Sequence, residues 1–193
     1  MIKSKADLNE YLKADKIALE RKRKRPSGLD VIWKYQILLR KCEYLKNCKH
    51  DLLSKVMFKI YNHRRQKIGI MCNLEIPLNV CGKGLSIAHT GPIMINSGAK
   101  IGENCRIHVG VNIGTQAGLV NSAPIIGNNV YIAPGAKLFG NIEIADNVVI
   151  GANAVVNKSF TENGITIAGV PAKKISDNGT DDMEYYKKIK SAI

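Results

Sequence analysis

One residue whose type could do chemistry is His89, in the segment Gly84-Leu85-Ser86-Ile87-Ala88-His89-Thr90-Gly91, although a lone histidine in a loop is by itself more often a surface residue than a catalyst. Imidazole gains and loses a proton near neutral pH, so a histidine lifted out of a packed interior is a candidate for moving a proton on a substrate. Little else in the chain competes with it. Five cysteines (Cys42, Cys48, Cys72, Cys81, Cys105) form no CxxC pair and are odd in number. That pattern fits reduced thiols in a cytoplasmic protein better than a disulfide framework. No histidine triplet has metal-ligand spacing, so no metal is expected.

Charge is the second chemical resource, and it is unevenly spread. The formal net charge is +13. Residues 1–70 carry 19 Lys/Arg against 7 Asp/Glu, whereas residues 71–193 carry 10 against 9. The densest stretch is Arg21-Lys22-Arg23-Lys24-Arg25, followed by Pro26-Ser27-Gly28. Such a run either attracts an anionic partner, including an anionic membrane surface contacted peripherally, or is a solvated loop. No aromatic-interleaved or zinc-knuckle pattern accompanies it, so nucleic acid is not expected and the solvated loop is favoured. The start of the chain is polar and charged rather than an apolar signal segment, and no apolar run has the length of a membrane span.

The element that must position His89 is a repeat. Every sixth residue from Ile126 is aliphatic: Ile126, Ile132, Leu138, Ile144, Ile150, Val156. Four residues after the first five anchors come Val130, Ala136, Ile142, Val148 and Ala154. Neither a 3.6-residue helix nor a two-residue strand alternation gives a period of six. A hexapeptide β-helix does, with one short strand and one corner per hexad. Anchors point inward, and Cys105 falls at an inward small position.

The repeat breaks twice. Ile87 is in phase with Cys81, but the next good anchors are Ile95, Ile101, Ile107 and Ile113, a slip of two residues around His89-Thr90-Gly91-Pro92. Ile113 to Ile126 is one hexad plus seven residues, so Gln116 to Pro124, with Gly118, Asn121 and Ser122, must loop out. Insertions project from a solenoid whose coils merely stack, so function gathers there.

Before the repeat, three helices are expected. The first covers 4–20, started by Ser4 with Asp7 and faced with Leu8, Tyr11, Leu12 and Leu19. The second covers 29–47, with Trp33, Ile37, Leu38 and Tyr44. The third covers 51–67, with Leu52, Leu53, Val56, Met57 and Ile60 on its apolar side and Gly69 as its stop. The domain reading is a basic helical segment over 1–70, a β-helix over 71–175 and a polar tail over 176–193, in which Met183–Ile189 is a short helix or disordered.

These features, with the closing Ala168-Gly169-Val170-Pro171-Ala172-Lys173, resemble the serine O-acetyltransferase-like branch of the hexapeptide acyltransferases, which includes acetyltransferases of capsule and O-antigen sugars. The resemblance implies a left-handed parallel β-helix with an N-terminal α-helical segment. It implies a homotrimer with sites between protomers, and acetyl-CoA as acyl donor. It makes His89 the general base that takes the hydroxyl proton, with Glu75, upstream of it in the chain, as the carboxylate that orients it. For acetyl-CoA it points to Gly114, Thr115 and Gln116 at the loop root, Pro134 and Ala152 on successive coils, and Lys173 and Lys174 near the nucleotide phosphates.

With three hexads to a coil, positions three hexads apart stack. His108 follows His89 by close to that interval, with the two-residue slip between them. Both therefore fall near one edge of adjacent coils, and His108 becomes a candidate substrate-binding residue. The alternative is a corner residue in a glycine slot. Two positions depart from the serine enzymes: Ala88 stands where they carry an acid, and Ser122-Ala123 stand where they carry a basic pair with histidine. A serine site must pair an ammonium and a carboxylate. The departure therefore favours a sugar or glycan-conjugate hydroxyl as acceptor, in surface polysaccharide synthesis, over L-serine in cysteine synthesis. A non-catalytic β-helix that binds a partner is the remaining alternative.

Overall fold

The computed structural model describes residues 1–119 and 122–192; Asn121 of the expected loop lies outside them. Three helices come first: α1 (Lys5–Ala18), α2 (Val31–Cys48) and α3 (Leu52–Cys72). The strands follow as β1 (Leu74–Glu75), β2 (Ser86–Ile87), β3 (Ile93–Ile95), β4 (Lys100–Ile101), β5 (Arg106–Ile107), β6 (Asn112–Gly114) and β7 (Ile125–Ile126). After them come β8 (Tyr131–Ile132), β9 (Lys137–Phe139), β10 (Glu143–Ile144), β11 (Val149–Ile150), β12 (Val155–Val156), β13 (Thr166–Gly169) and β14 (Ala172–Ser176). A 3-10 turn at Thr180–Asp182 leads into α4 (Glu184–Ala192).

The strands stack into the three faces of a left-handed parallel β-helix. Sheet one has the order β1-β3-β6-β9-β12, sheet two β4-β7-β10, and sheet three β2-β5-β8-β11-β13-β14. Every pairing is parallel except β13 with β14. The six anchors from Ile126 to Val156 are all buried, as are their partners Val130, Ala136, Ile142, Val148 and Ala154. The prism is a continuous aliphatic core, and this burial out of water is its main stabilising term.

Registers locate both breaks. Regular coils advance by three hexads, as in Met94 opposite Asn112 and Ile125 opposite Glu143. Ser86 lies opposite Arg106 and Ile87 opposite Ile107, a longer step, so two extra residues sit between Ile87 and Met94. Lys100 lies opposite Ile125, a longer step still, which accommodates the seven-residue loop after Gly114. The corner between sheets two and three carries a ladder in which Asn104, Asn129 and Asn147 are joined by side-chain amide bonds down the stack at 3.0 Å. All three have positive φ. Gly84 takes the place above Asn104, where a Cβ would stand 2.1 Å from the Asn104 Oδ1.

The helices are fastened to the first coil by buried charge. Arg40, fully buried, donates through Nε to Asp15 at 2.8 Å and through Nη1 to Glu43 at 3.0 Å. It also reaches the carbonyls of Cys81 and Gly82 at 2.9 and 2.6 Å. Asp15 in turn accepts from the Leu85 amide at 3.0 Å, and Glu43 from the Asn79 amide at 2.8 Å. Gln36 adds a bond from Nε2 to the Leu85 carbonyl at 2.7 Å. The α1 start is the expected cap, Ser4 Oγ accepting from the Asp7 amide at 3.0 Å.

Two expectations for the third helix are corrected. Gly69 does not stop α3, which runs on to Cys72 and ends in a left-handed Asn73. Gly69 is instead a contact point, since a Cβ there would stand 2.8 Å from the Leu74 carbonyl oxygen and 3.4 Å from Tyr35 Cε2. The apolar side also points the other way. Leu52, Leu53, Val56 and Ile60 are exposed, while the buried positions of α3 are Gly69 and Cys72 at its C-terminal end. The tail is likewise more than polar: α4 buries Tyr186 and Ile189, and the Tyr186 hydroxyl donates to the Val130 carbonyl at 2.9 Å. Among the described residues no helix is long and apolar enough to cross a membrane.

Candidate active site

The corner between sheets three and one collects the chemistry. Its levels are joined by backbone bonds from Gly110 to the Pro92 carbonyl (2.7 Å), Gly135 to Val109 (2.9 Å) and Asn153 to Pro134 (2.9 Å). His89 sits on the level enlarged by two residues, just past β2, and is exposed. His108 follows β5 on the next level. Their ring centroids are 5.8 Å apart with planes tilted by 56°. On its other side His108 meets the Tyr131 ring at 4.9 Å.

This sandwich decides the protonation of His108. Burial, the Arg106 guanidinium and the neighbouring His89 pull its pKa down to about 4. It is neutral at physiological pH, with one ring nitrogen donating and the other accepting. Its Nε2 is shut off from solvent and has no partner among the described residues. A buried polar atom left unpaired is costly.

Of the other expected residues, Pro134 and Ala152 lie on successive levels of this same corner. Gly114, Thr115 and Gln116 do not. Gly114 ends β6 and Thr115 and Gln116 follow it, at the corner between sheets one and two, where the Gln116 amide donates to Ser122 Oγ at 3.1 Å. About four strand residues separate Gly110 from Gly114, roughly 13 Å. One protomer therefore does not bring the two groups together. Glu75 is not brought to His89 either. It is exposed on sheet one opposite Met94, five residues beyond His89, so it projects from the sheet face rather than the corner. Among the described residues His89 forms no ion pair with any carboxylate. Lys173 and Lys174 lie on β14, and Lys174 is already paired with Glu162 at 2.6 Å and Asp177 at 2.5 Å.

Three neighbours were not legible as site residues. Arg106 and Tyr131 face outward on β5 and β8, and Tyr185 comes from α4, with its ring 4.2 Å from the Arg106 guanidinium carbon. The outward alternation Arg106-Ile107-His108 was a signal for the first. Tyr185 had none, because its approach depends on where the tail docks.

Residues 123–158 match the family described as "Bacterial transferase hexapeptide (six repeats)". The serine acetyltransferase of Staphylococcus xylosus is 32% identical over 155 residues, which cover 79% of this chain and 66% of that protein. That of Staphylococcus aureus (strain Mu50 / ATCC 700699) is 34% identical over 155 residues, covering 79% and 67%. The chain thus spans about two thirds of the length of these relatives. Among solved structures, soybean serine acetyltransferase apoenzyme superposes with TM-score 0.67 at 23% identity, covering 88% of this chain and 69% of that one. Neisseria gonorrhoeae serine acetyltransferase in complex with serine gives TM-score 0.63 at 26% identity, covering 90% and 71%. These findings overturn the expectation of a sugar acceptor in polysaccharide synthesis. That expectation took neutral residues at Ala88 and Ala123 to mean a site without charges, whereas a site assembled from several elements can draw its charges from other strands.

Proposed function

This chain belongs to the serine acetyltransferase family, and on that ground we propose that it moves the acetyl group of acetyl-CoA to the hydroxyl of L-serine. The observation that carries the reading is His89, exposed on the one corner level lengthened by two residues and packed against a neutral histidine. A serine hydroxyl is a poor nucleophile at neutral pH, and His89 takes its proton as the oxygen meets the thioester carbonyl. The new oxygen–carbon bond forms, the carbon–sulfur bond breaks, and the proton held by His89 passes to the leaving thiolate. The products are O-acetylserine and CoA thiol. His108 offers one neutral hydrogen-bonding nitrogen to the reacting groups without adding a charge beside His89.

Acetyl-CoA is the substrate that supplies the thioester. The corner below His108 is lined by small residues, Ala133, Gly135, Gly151 and Ala152, which let a narrow pantetheine arm approach the backbone. Gly114 to Gln116 would join it from a neighbouring protomer in a homotrimer. Five unpaired cysteines, four of them buried, support a reducing, cytoplasmic setting.

The test is steady-state release of CoA thiol with acetyl-CoA and L-serine. A kcat/KM of about 10⁴ M⁻¹s⁻¹ or more is expected. No release above the serine-free rate would overturn the reading.

A further inference from the structure

A serine acceptor carries an α-carboxylate at neutral pH, and neither Ala88 nor Ala123 can pair it. We infer that Arg106 is the residue that binds the acceptor's carboxylate, an assignment that rests on the serine reading above.

Position comes first. Arg106 lies on β5 and His108 immediately past its end, two residues apart and on the same side of the chain, about 6–7 Å from one another. His108 in turn abuts His89. A hydroxyl and a carboxylate on adjacent carbons bridge such a gap once hydrogen bonds of about 3 Å are added at either end. With its hydroxyl at His89, serine thus lays its carboxylate toward Arg106.

Charge comes second. Arg40 is matched by Asp15 and Glu43, and Arg21 by Asp30. Arg106 has no carboxylate partner among the described residues, although it is half-buried. Glu20 is close enough to act on the Tyr185 hydroxyl electrostatically, yet makes no ion pair with Arg106. Of the five N–H donors of a guanidinium, one makes a geometrically sound hydrogen bond among the described residues, from Nη1 to the buried Ser86 Oγ at 3.1 Å. A partly desolvated cation without a counter-charge favours an anion, and the planar fork suits a carboxylate.

Preorganisation comes third. The Tyr185 ring supports the guanidinium by a cation–π contact, and the Tyr185 hydroxyl is anchored on the Ala18 carbonyl at 2.7 Å. The guanidinium is therefore held between β2 and α4 instead of swinging in solvent. The low proton affinity of His108 comes first from its burial and then from the Arg106 cation beside it.

The competing role is packing alone, with Arg106 serving only to seat α4. L-Serinamide, which keeps the hydroxyl and lacks the carboxylate, separates the two. Wild type, Arg106→Gln and Arg106→Lys are assayed with acetyl-CoA and each acceptor, with melting temperature and oligomeric mass measured alongside. For Arg106→Gln, the ratio of kcat/KM for L-serine to that for L-serinamide is expected to fall on the order of 10- to 100-fold, through KM for L-serine. Arg106→Lys, which keeps the charge and most of the stem, should recover part of that ratio and covers the case in which the glutamine variant does not fold. Equal loss on both acceptors, or an unchanged ratio in a folded variant, would overturn the assignment while leaving the serine reading intact. A wild-type enzyme that releases no thiol with L-serine would overturn both.

Discussion

The imidazoles of His89 and His108 stand 5.8 Å apart, centroid to centroid, although a full turn of the β-helix separates them in the chain. The coil that begins near Ile87 carries two residues more than a regular three-hexad coil. The extra length lifts His89 onto the exposed corner while His108 remains pressed against Tyr131. The pair is thus asymmetric in environment, which suits one ring to exchange a proton and the other to stay neutral.

His89→Ala is expected to lower turnover by about 10²–10⁴-fold. Since His89 is exposed and makes no ion pair among the described residues, melting temperature should stay close to that of wild type, the small effect usual for surface sites. Near-wild-type turnover in the purified variant would place the base elsewhere.

His108 should titrate far below an ordinary histidine. Its folded pKa of about 4 lies under the usual value near 6.5, so between those limits the unfolded chain binds more protons than the folded one. Stability is therefore fully present above about pH 6.5 and declines as pH falls through that window toward 4. Proton NMR of the imidazole is expected to show a midpoint near 4, and His108→Gln should flatten the acid limb of the stability curve. A midpoint near 6.5 would contradict the half-buried, cation-flanked environment.

Arg40→Ala removes the cation from between Asp15 and Glu43, leaving two buried carboxylates unpaired. Breaking such a cluster from one side costs about 3–5 kcal/mol, which should appear as a large drop in melting temperature. Arg40→Lys should recover little, because a single ammonium cannot reach Asp15, Glu43 and two carbonyls at once. Thermal denaturation indistinguishable from wild type would mean that the helices are held by other contacts.

The homotrimer that the family resemblance implies would let each loop root at Gly114–Gln116, separated from the histidine corner within one chain, face a neighbour's His89, so three chains per particle are expected. Light scattering should return three times the chain mass, or six if trimers pair. A fully active monomer would require the donor site to be built without Gly114, Thr115 and Gln116.

Much of this architecture is determined by local sequence. Anchors from Ile126 to Val156 dictate the prism because only a hexad repeat puts every one of them inside, and all are buried. The slip at His89 and the loop after Gly114 were legible for the same reason: a regular period makes any insertion visible. Non-local placement was not legible. Gly69 reads as a helix stop by propensity, yet α3 continues through it because the missing Cβ admits the Leu74 carbonyl. The family resemblance pointed to Glu75 as the orienting carboxylate, but its strand position turns it onto the face of sheet one. The apolar side of α3 was visible as a stripe, but which face meets α2 depends on packing. Tyr185 reaches Arg106 from the C-terminal helix, with most of the β-helix intervening in the chain, a contact no local pattern encodes. Periodicity sets which residues go inside a coil. What surrounds an outward residue such as Arg106 or His108 is set by the elements that dock on the coil, and only the tertiary structure decides that.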